Sequence, residues 1–265
     1  MDDFQKQGFL GNDLSEFEDG FRKEYVTWLS FLFEINSYAQ TLQYKLDINN
    51  ENGQQLVCAS LYARCISMYQ ATIIISIKGM ETQATILLRC LLEALFSLVA
   101  SSKSEEVVKK FINADLLERR KFFNKARMCK GDSLKALADK HATDEVILNI
   151  QKDIDAFEAK RFSTEEISIK AGLHDLYLTA YSLFSHSVHS SIRDLEKHLI
   201  TDRNGDVTGL KNEPIIDGHD LLFATAAESM LHALKAVERV FTLNTSDFVT
   251  KKYKKLENLL PKPKR

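Results

Sequence analysis

Chain breakers are nearly missing from this sequence. It has three prolines, none before Pro214, and ten glycines spread over 265 residues. Scarcity of both residue types excludes a fold of many short strands and tight turns and favours long helices. Cysteine is sparse as well. Cys58, Cys65, Cys90 and Cys129 form no C-x-x-C pair, and the first three stand among apolar residues, so buried reduced thiols are expected rather than a disulfide frame. Large net charge is also absent: the formal value is −2, which gives the whole molecule no long-range pull on nucleic acid or membrane. The longest apolar runs, Ala71–Ile77 and Ala94–Ala100, are too short to span a bilayer. The opening MDDFQKQGF is acidic and polar, unlike a secretory signal. These features predict a cytoplasmic protein. Catalytic fingerprints are missing too: there is no P-loop, G-x-G-x-x-G, G-x-S-x-G, H-E-x-x-H or cysteine–histidine zinc spacing. No cofactor is implied, and the scattered His141, His174, His219 and His232 suggest no metal.

What is present is helical periodicity. The fold class expected is all-α, an up-down bundle of long antiparallel helices with one irregular loop near 201–218. Residues 1–11 read as a flexible N-terminus, 12–260 as one helical-bundle domain, and 261–265 (PKPKR) as a basic tail. Asn12 or Asp13 would cap a first helix running to about Leu46, and NNENG at 49–53 is a break. Helices are then expected over 54–78, 82–101 and 104–130, with the short link after Gly79 making the first two antiparallel neighbours. Gly131–Phe162 reads as a peripheral excursion. Ser163–Glu166 is a capping box, and Gly172 interrupts the helix it starts. One helix is expected over 173–200 and further helices over 217–243 and 245–260. Asn204–Gly205 suggests a small hairpin. Asp202, Asn204, Asp206 and Glu213 mimic a calcium loop, but Val207 stands where the turn glycine is needed.

The segment 82–101, TQATILLRCLLEALFSLVAS, is apolar on every side except for Arg89 and Glu93. A helix apolar all round is a buried helix. Arg89 and Glu93 are one turn apart on one face, and burying them is costly unless they are paired and hydrogen-bonded. A second stripe answers them: Tyr181, Ser185, His189 and Arg193 recur every four residues, with Leu178, Leu183 and Val188 on the opposite side and His186 near His189. If the two helices meet, Arg89, Glu93, Ser185 and His189 can satisfy one another. Such a network serves either as a structural register lock or as a working site. A third feature is ERRKFFNKARMCK at 118–130. It gathers Arg119, Arg120, Lys121, Lys125 and Arg127 beside Phe122 and Phe123. It reads as an RNA-backbone contact or as a solvated helix end whose cations suit the dipole.

The pairing of Arg89-Cys-Leu-Leu-Glu93 with Tyr181, Ser185 and His189 resembles an uncharacterised family of bacterial all-helical proteins, over roughly residues 50–240. In architecture it is similar to the HEPN superfamily of helical bundles, many of which are RNA-cleaving toxins and phage-defence effectors. That resemblance implies a metal-independent endoribonuclease, working as a homodimer on an RNA substrate, with a cognate antitoxin or defence partner. The signature is Arg, a polar residue and a His a few positions on, matched here by Arg193, Asp194 and His198. The resemblance implies that the imidazole moves the proton of the ribose 2′-hydroxyl or leaving oxygen and that the guanidinium grips phosphate, roles suited to both groups. Five residues of unbroken helix would turn Arg193 and His198 about 140° apart, so a kink or a partner copy must bring them together. Arg89 with His189 is the rival catalytic pair. The alternative is a non-catalytic binding or sensor module in which Arg89, Glu93, Ser185 and His189 form a buried structural network.

Overall fold

The computed structural model describes residues 3–11, 14–128, 131–188 and 192–260. Asn12, Asp13, Cys129, Lys130 and His189 lie outside the described residues, as does the side chain of Arg193. The chain is all-α. Helices α1 (Ser15–Glu24), α2 (Val26–Gln43), α3 (Gly53–Ile77), α4 (Glu81–Lys103) and α5 (Glu105–Arg127) are followed by α6 (Asp132–His141), α7 (Asp144–Ala156) and α8 (Thr164–Ala171). Next, His174–Leu176, a π turn at Tyr177–Tyr181 and Ser182–Val188 run on as one rod, α9 (174–188). After it come α10 (Ile192–Glu196), the antiparallel strands β1 (Leu199–Thr201) and β2 (Val207–Leu210), α11 (Asp220–Phe241) and α12 (Ser246–Leu259).

Local chemistry sets most of these boundaries. The Asn52 side chain accepts from Gln55 N at 3.1 Å to start α3, and Ser104 does the same for α5. Ser163 and Glu166 close the expected capping box on α8, and Gly172 ends that helix at φ +69°. The triple isoleucine at 73–75 stays inside α3, with Ile73 buried in the core.

α4 is the hub. It packs against α3, α8, α9 and α11, and Leu88, Leu91, Leu92, Leu95 and Phe96 are fully buried. By length and composition α4 could cross a membrane, a point the short apolar runs did not reveal; 67% of its most apolar window is covered by the rest of the bundle. Gln54 Nε2, at the start of α3, donates to Ser101 O at the end of α4 at 2.7 Å, which shows the two helices to be antiparallel. Tyr62 and Tyr69 carry polar ends into the core and satisfy them on α2, donating to Ala39 O and Leu32 O at 3.0 and 2.9 Å. Trp28 Nε1 donates to Asp220 at 2.8 Å, tying α2 to the start of α11. α6 and α7 pack on α5, away from this core, as the peripheral reading expected.

Three expectations need correction. The first long helix is two helices, because Tyr25 leaves helical geometry (φ −99°, ψ 23°) so that its ring joins Phe21, Phe223 and His219. Residues 3–10 are not featureless: Asp3–Gln7 is a helical turn and Gly8–Leu10 a 3₁₀ turn. The helix expected over 173–200 does not continue to its end. Leu199 and Ile200 pair with Leu210 and Gly209 in the hairpin, whose turn is closed by Asp202 accepting from Asn204 N and Asp206 N. The would-be calcium ligand Asp202 is therefore an Asx-turn acceptor.

Gly79 makes the α3–α4 turn with φ +74°, and its carbonyl accepts from Ile215 N at 3.0 Å. An added Cβ would lie 2.5 Å from Pro214 Cβ and 2.8 Å from Ile215 N. Gly79→Ala is expected to cost about 2–4 kcal/mol through strain and overpacking, seen as a fall in Tm of about 2–4 °C per kcal/mol; an unchanged Tm would refute the close approach.

His219 is fully buried, edge-on to Phe21 at 4.9 Å, with Nδ1 donating to Ile216 O at 3.0 Å and Nε2 lacking a partner. Burial lowers its pKa from 6.5. A lowered value means that the unfolded chain takes up the proton first on acidification. His219 therefore supports stability fully above about pH 6.5 and loses that support as pH falls through its lower folded value. His219→Phe is expected to flatten the acid side of a Tm-against-pH curve below pH 6.5 relative to the parent protein.

Candidate functional site

Arg89 and Glu93 project from one face of α4 toward α9. The guanidinium is held at three nitrogens: Nε donates to Ser185 Oγ at 3.1 Å, Nη2 to Tyr181 Oη at 2.7 Å, and Nη1 lies 3.2 Å from Glu93 Oε1. Tyr181 Oη in turn donates to the same Oε1 at 2.9 Å, and Ser185 Oγ donates to Tyr181 O at 2.7 Å. Each hydroxyl accepts from Arg89 and donates its own proton onward, so both hydroxyls are satisfied. Arg89 Cζ sits 4.8 Å from the Tyr181 ring centroid, which adds a cation–π contribution.

The π turn sets this geometry. Ser182 Oγ bonds back five residues to Tyr177 O, and the extra residue in the turn shifts the register of everything after it. Tyr181 and Ser185 face inward, while Leu178 and Leu183 are 54% and 53% exposed. Tyr181 and Ser185 therefore join Ala180 and Phe184 on the inner face, with Leu176 packed against the core, while Leu178 and Leu183 face water. Tyr177 stacks on Tyr181 and His174 on Tyr177, at 5.1 and 5.9 Å. Burial raises the Tyr181 pKa; a hydrogen bond from Thr164 opposes the rise and Glu93 adds to it. The phenol is thus a firm proton donor at neutral pH.

The ion pair is unevenly covered. The Arg89 side chain is 16% exposed and that of Glu93 40%. The hydrogen bond and the ionic contact given for Glu93 fall on Oε1; Oε2 accepts no hydrogen bond among the described residues. The Glu93 side chain lines a pocket of about 380 Å³, whose other walls include Ser97, Phe111, Asp115, Arg161, Phe162 and Thr164. Arg161 pairs with Glu118 at the rim. Sequence reading missed Thr164, Asp115 and Phe162. Thr164 was visible only as the first residue of a capped helix, and nothing local shows that α8 packs on α4.

The other expected site residues are placed differently. Asp194 is buried and takes Ser187 Oγ at 2.9 Å and Lys197 Nζ at 3.6 Å; Lys197 also reaches Glu81 of α4 at 3.6 Å. The polar member of the Arg–polar–His signature is thus a staple between α9, α10 and α4. His198 has left the helix. Its carbonyl accepts from Lys211 N at 2.8 Å and its Nδ1 lies 3.4 Å from Lys211 O, at the base of the hairpin. It shares no hydrogen bond with the Arg89 network among the described residues. On the basic face, Arg120 bonds Gln151 and Arg127 pairs with Asp144 at 2.7 Å, so two of its cations pin α7 to α5. Arg119, Lys121, Lys125 and Phe122 are exposed.

Tyr181→Phe removes the oxygen that joins Arg89, Glu93 and Thr164 and is expected to cost about 1–3 kcal/mol in urea unfolding, more than Ser185→Ala at about 0.5–1.5 kcal/mol. Because all these groups share one network, the losses from Arg89→Ala and Tyr181→Phe should sum to more than the double variant loses. Strict additivity would show that the contacts are independent.

No curated protein and no solved structure matches this chain. A family model does: DUF5677, described as a family of unknown function, matches residues 55–206. That span runs from α3 through the β1–β2 turn and contains Arg89, Glu93, Tyr181 and Ser185 together. The chain belongs to this family of unknown function, and the matched region carries both halves of the network.

Proposed function

We propose that the protein is a ligand-binding helical module whose recognition group is the Glu93 carboxylate. The observation that carries this reading is the asymmetry of that carboxylate. One oxygen is held by Arg89 and Tyr181, while the carboxylate side chain stays 40% exposed and lines a pocket of about 380 Å³. A register lock needs no exposed carboxylate, whereas a pre-positioned acceptor at a concave, partly aromatic wall suits a small polar ligand. The fold needs acceptors for Arg89, but it does not need Glu93 to stay 40% exposed at a pocket wall, and that exposure is what the ligand-binding reading explains.

A second reading is a metal-independent endoribonuclease of HEPN type acting as a toxin or defence effector. The observation favouring it is a groove of about 430 Å³ lined by Arg120, Lys121, Asn124, Lys125 and Arg161, which joins the pocket through Arg161. There, cations would track the RNA backbone. Arg193 would grip the scissile phosphate, and His198 or His189 would move the 2′-hydroxyl proton. A homodimer would be needed to complete that site, since His198 sits on the hairpin base.

Two measurements separate these readings. Total RNA incubated with the protein in EDTA is expected to stay intact, and a thermal-shift screen of mixed small metabolites is expected to find a stabiliser of the parent protein that fails on Glu93→Gln. EDTA-resistant cleavage lost in His198→Ala or His189→Ala would establish the nuclease instead. A screen without any stabiliser would remove the first reading.

A further inference from the structure

α1 has a single deep anchor. Phe21 is its one buried side chain among the described residues, and its ring centroid lies 4.9 Å from that of His219. Leu14, just ahead of the helix, is buried but lies outside the core cluster. The ion pair of Glu18 with Lys78, at 2.9 Å, is partly exposed on both sides and adds little. Phe17 reaches the α3–α4 turn at Gly79, where Pro214 packs as well. Tyr25 is the point at which the helix breaks before α2, and its Oη accepts from His219 N at 3.4 Å. α2 is fastened independently, by Trp28 on Asp220 and by Tyr62 and Tyr69 of α3.

The anchor rests on a neutral imidazole. Ile216 O can only accept, so Nδ1 carries the hydrogen of their 3.0 Å bond and Nε2 is the bare nitrogen. Nε2 is buried and has no hydrogen-bond partner among the described residues. Rings surround it instead: Phe21, Tyr25 and Phe223 lie 4.9, 5.7 and 5.7 Å from the imidazole centroid. The titratable groups facing the site are Glu81 of α4, the Tyr25 phenol with Glu24 beside it, and Asp217 and Asp220 of the histidine's own segment. Lys78, at the end of α3, is taken by Glu18. The acids favour a cation at His219, but burial outweighs them. A proton on Nε2 creates a buried charge and a buried donor without an acceptor, which is costly, and water satisfies both once the ring leaves its cage. We infer that His219 is an acid-released latch: on protonation it leaves the aromatic cage and frees α1 to swing about Tyr25, while the core around α4 stays folded. An imidazole in water takes up its proton near pH 6.5 and the caged one only at lower pH, so the closed form holds above about pH 6.5 and the open form gains below it. This latch is independent of what the Glu93 pocket binds.

Amide hydrogen exchange of the full chain, corrected for the intrinsic effect of pH on exchange, tests the latch in steps from about pH 7.5 to about pH 4. Amides of α1 and of residues 211–219 are expected to lose protection about tenfold or more once pH falls below about 6.5, while those of α4 change less than about twofold. His219→Phe and His219→Gln both stay neutral over this range, and whichever folds is expected to keep α1 protection independent of pH down to about 4.5. Glu18→Gln, which breaks the ion pair with Lys78, is expected to retain the loss. Four results overturn the latch: constant α1 protection in the parent protein, α4 loosening in step with α1, a loss that persists in the neutral variants, or a loss abolished by Glu18→Gln. A loss that begins only below about pH 4.5, where carboxylates titrate, overturns it from the parent protein alone.

Discussion

A guanidinium carried on the central helix of the bundle must find hydrogen-bond acceptors, and most of the architecture around α4 follows from how Arg89 finds them. It spends three nitrogens on three different side chains, one of its own helix and two of α9. An arginine buried to this degree is tolerated only when its donors are met. The need is answered by turning the hydroxyl stripe of α9 inward. Leu178 and Leu183 are left on the outer side, while Leu176 and Phe184 keep apolar contact with the core beside the hydroxyls. The two outward leucines on α9 are thus the consequence of one polar obligation on α4.

The π turn is the device that makes this arrangement possible. In a regular α-helix, residues four apart drift by 40° per step, so Tyr181 and Ser185 would share a face only loosely. The extra residue at 177–181 re-aims the rod just before the tyrosine. It also stacks Tyr177 against Tyr181 and packs Phe96 of α4 6.0 Å from the Tyr181 ring. Aromatic contacts from both sides therefore hold the phenol where Arg89 and Glu93 meet. The π turn thus ends on the residue through which α9 joins the Arg89 network of α4.

Much of the fold was legible because it depends on local rules. Asn52, Ser104, Ser163 with Glu166, and Gly172 mark helix ends by chemistry that acts within four residues. The meeting of Arg89 and Glu93 with Tyr181 and Ser185 was legible as well, because unpaired polar groups on an apolar helix demand partners elsewhere. What escaped was set by tertiary packing. Tyr25 breaks the first helix for the sake of an aromatic cluster with His219 and Phe223, residues nearly two hundred positions away. The end of α9 and the hairpin pairing of Leu199 escaped because Leu-Ile fits either a helix or a strand, and only the turn at 202–206 decides. Thr164 and Asp115 became site residues only when α8 and α5 came to flank Glu93, an event no periodicity encodes.

The distribution of charge around α5 gives the arrangement its direction. Its last two turns are strongly basic, yet Arg120 and Arg127 are drawn away to α7 and its start, and Arg161 is drawn to Glu118. The preceding turn, with Asp115 and Glu118, faces the pocket instead. One helix therefore presents an acid wall toward Glu93 and a cationic groove beyond it, with Arg161 at the boundary. Opposite fields this close are sharply local under physiological salt, where screening acts within about 8 Å. The field inside the pocket is therefore set at contact range, by Glu93 with its partner Arg89 and by Asp115. The overall charge of −2 has little part in it.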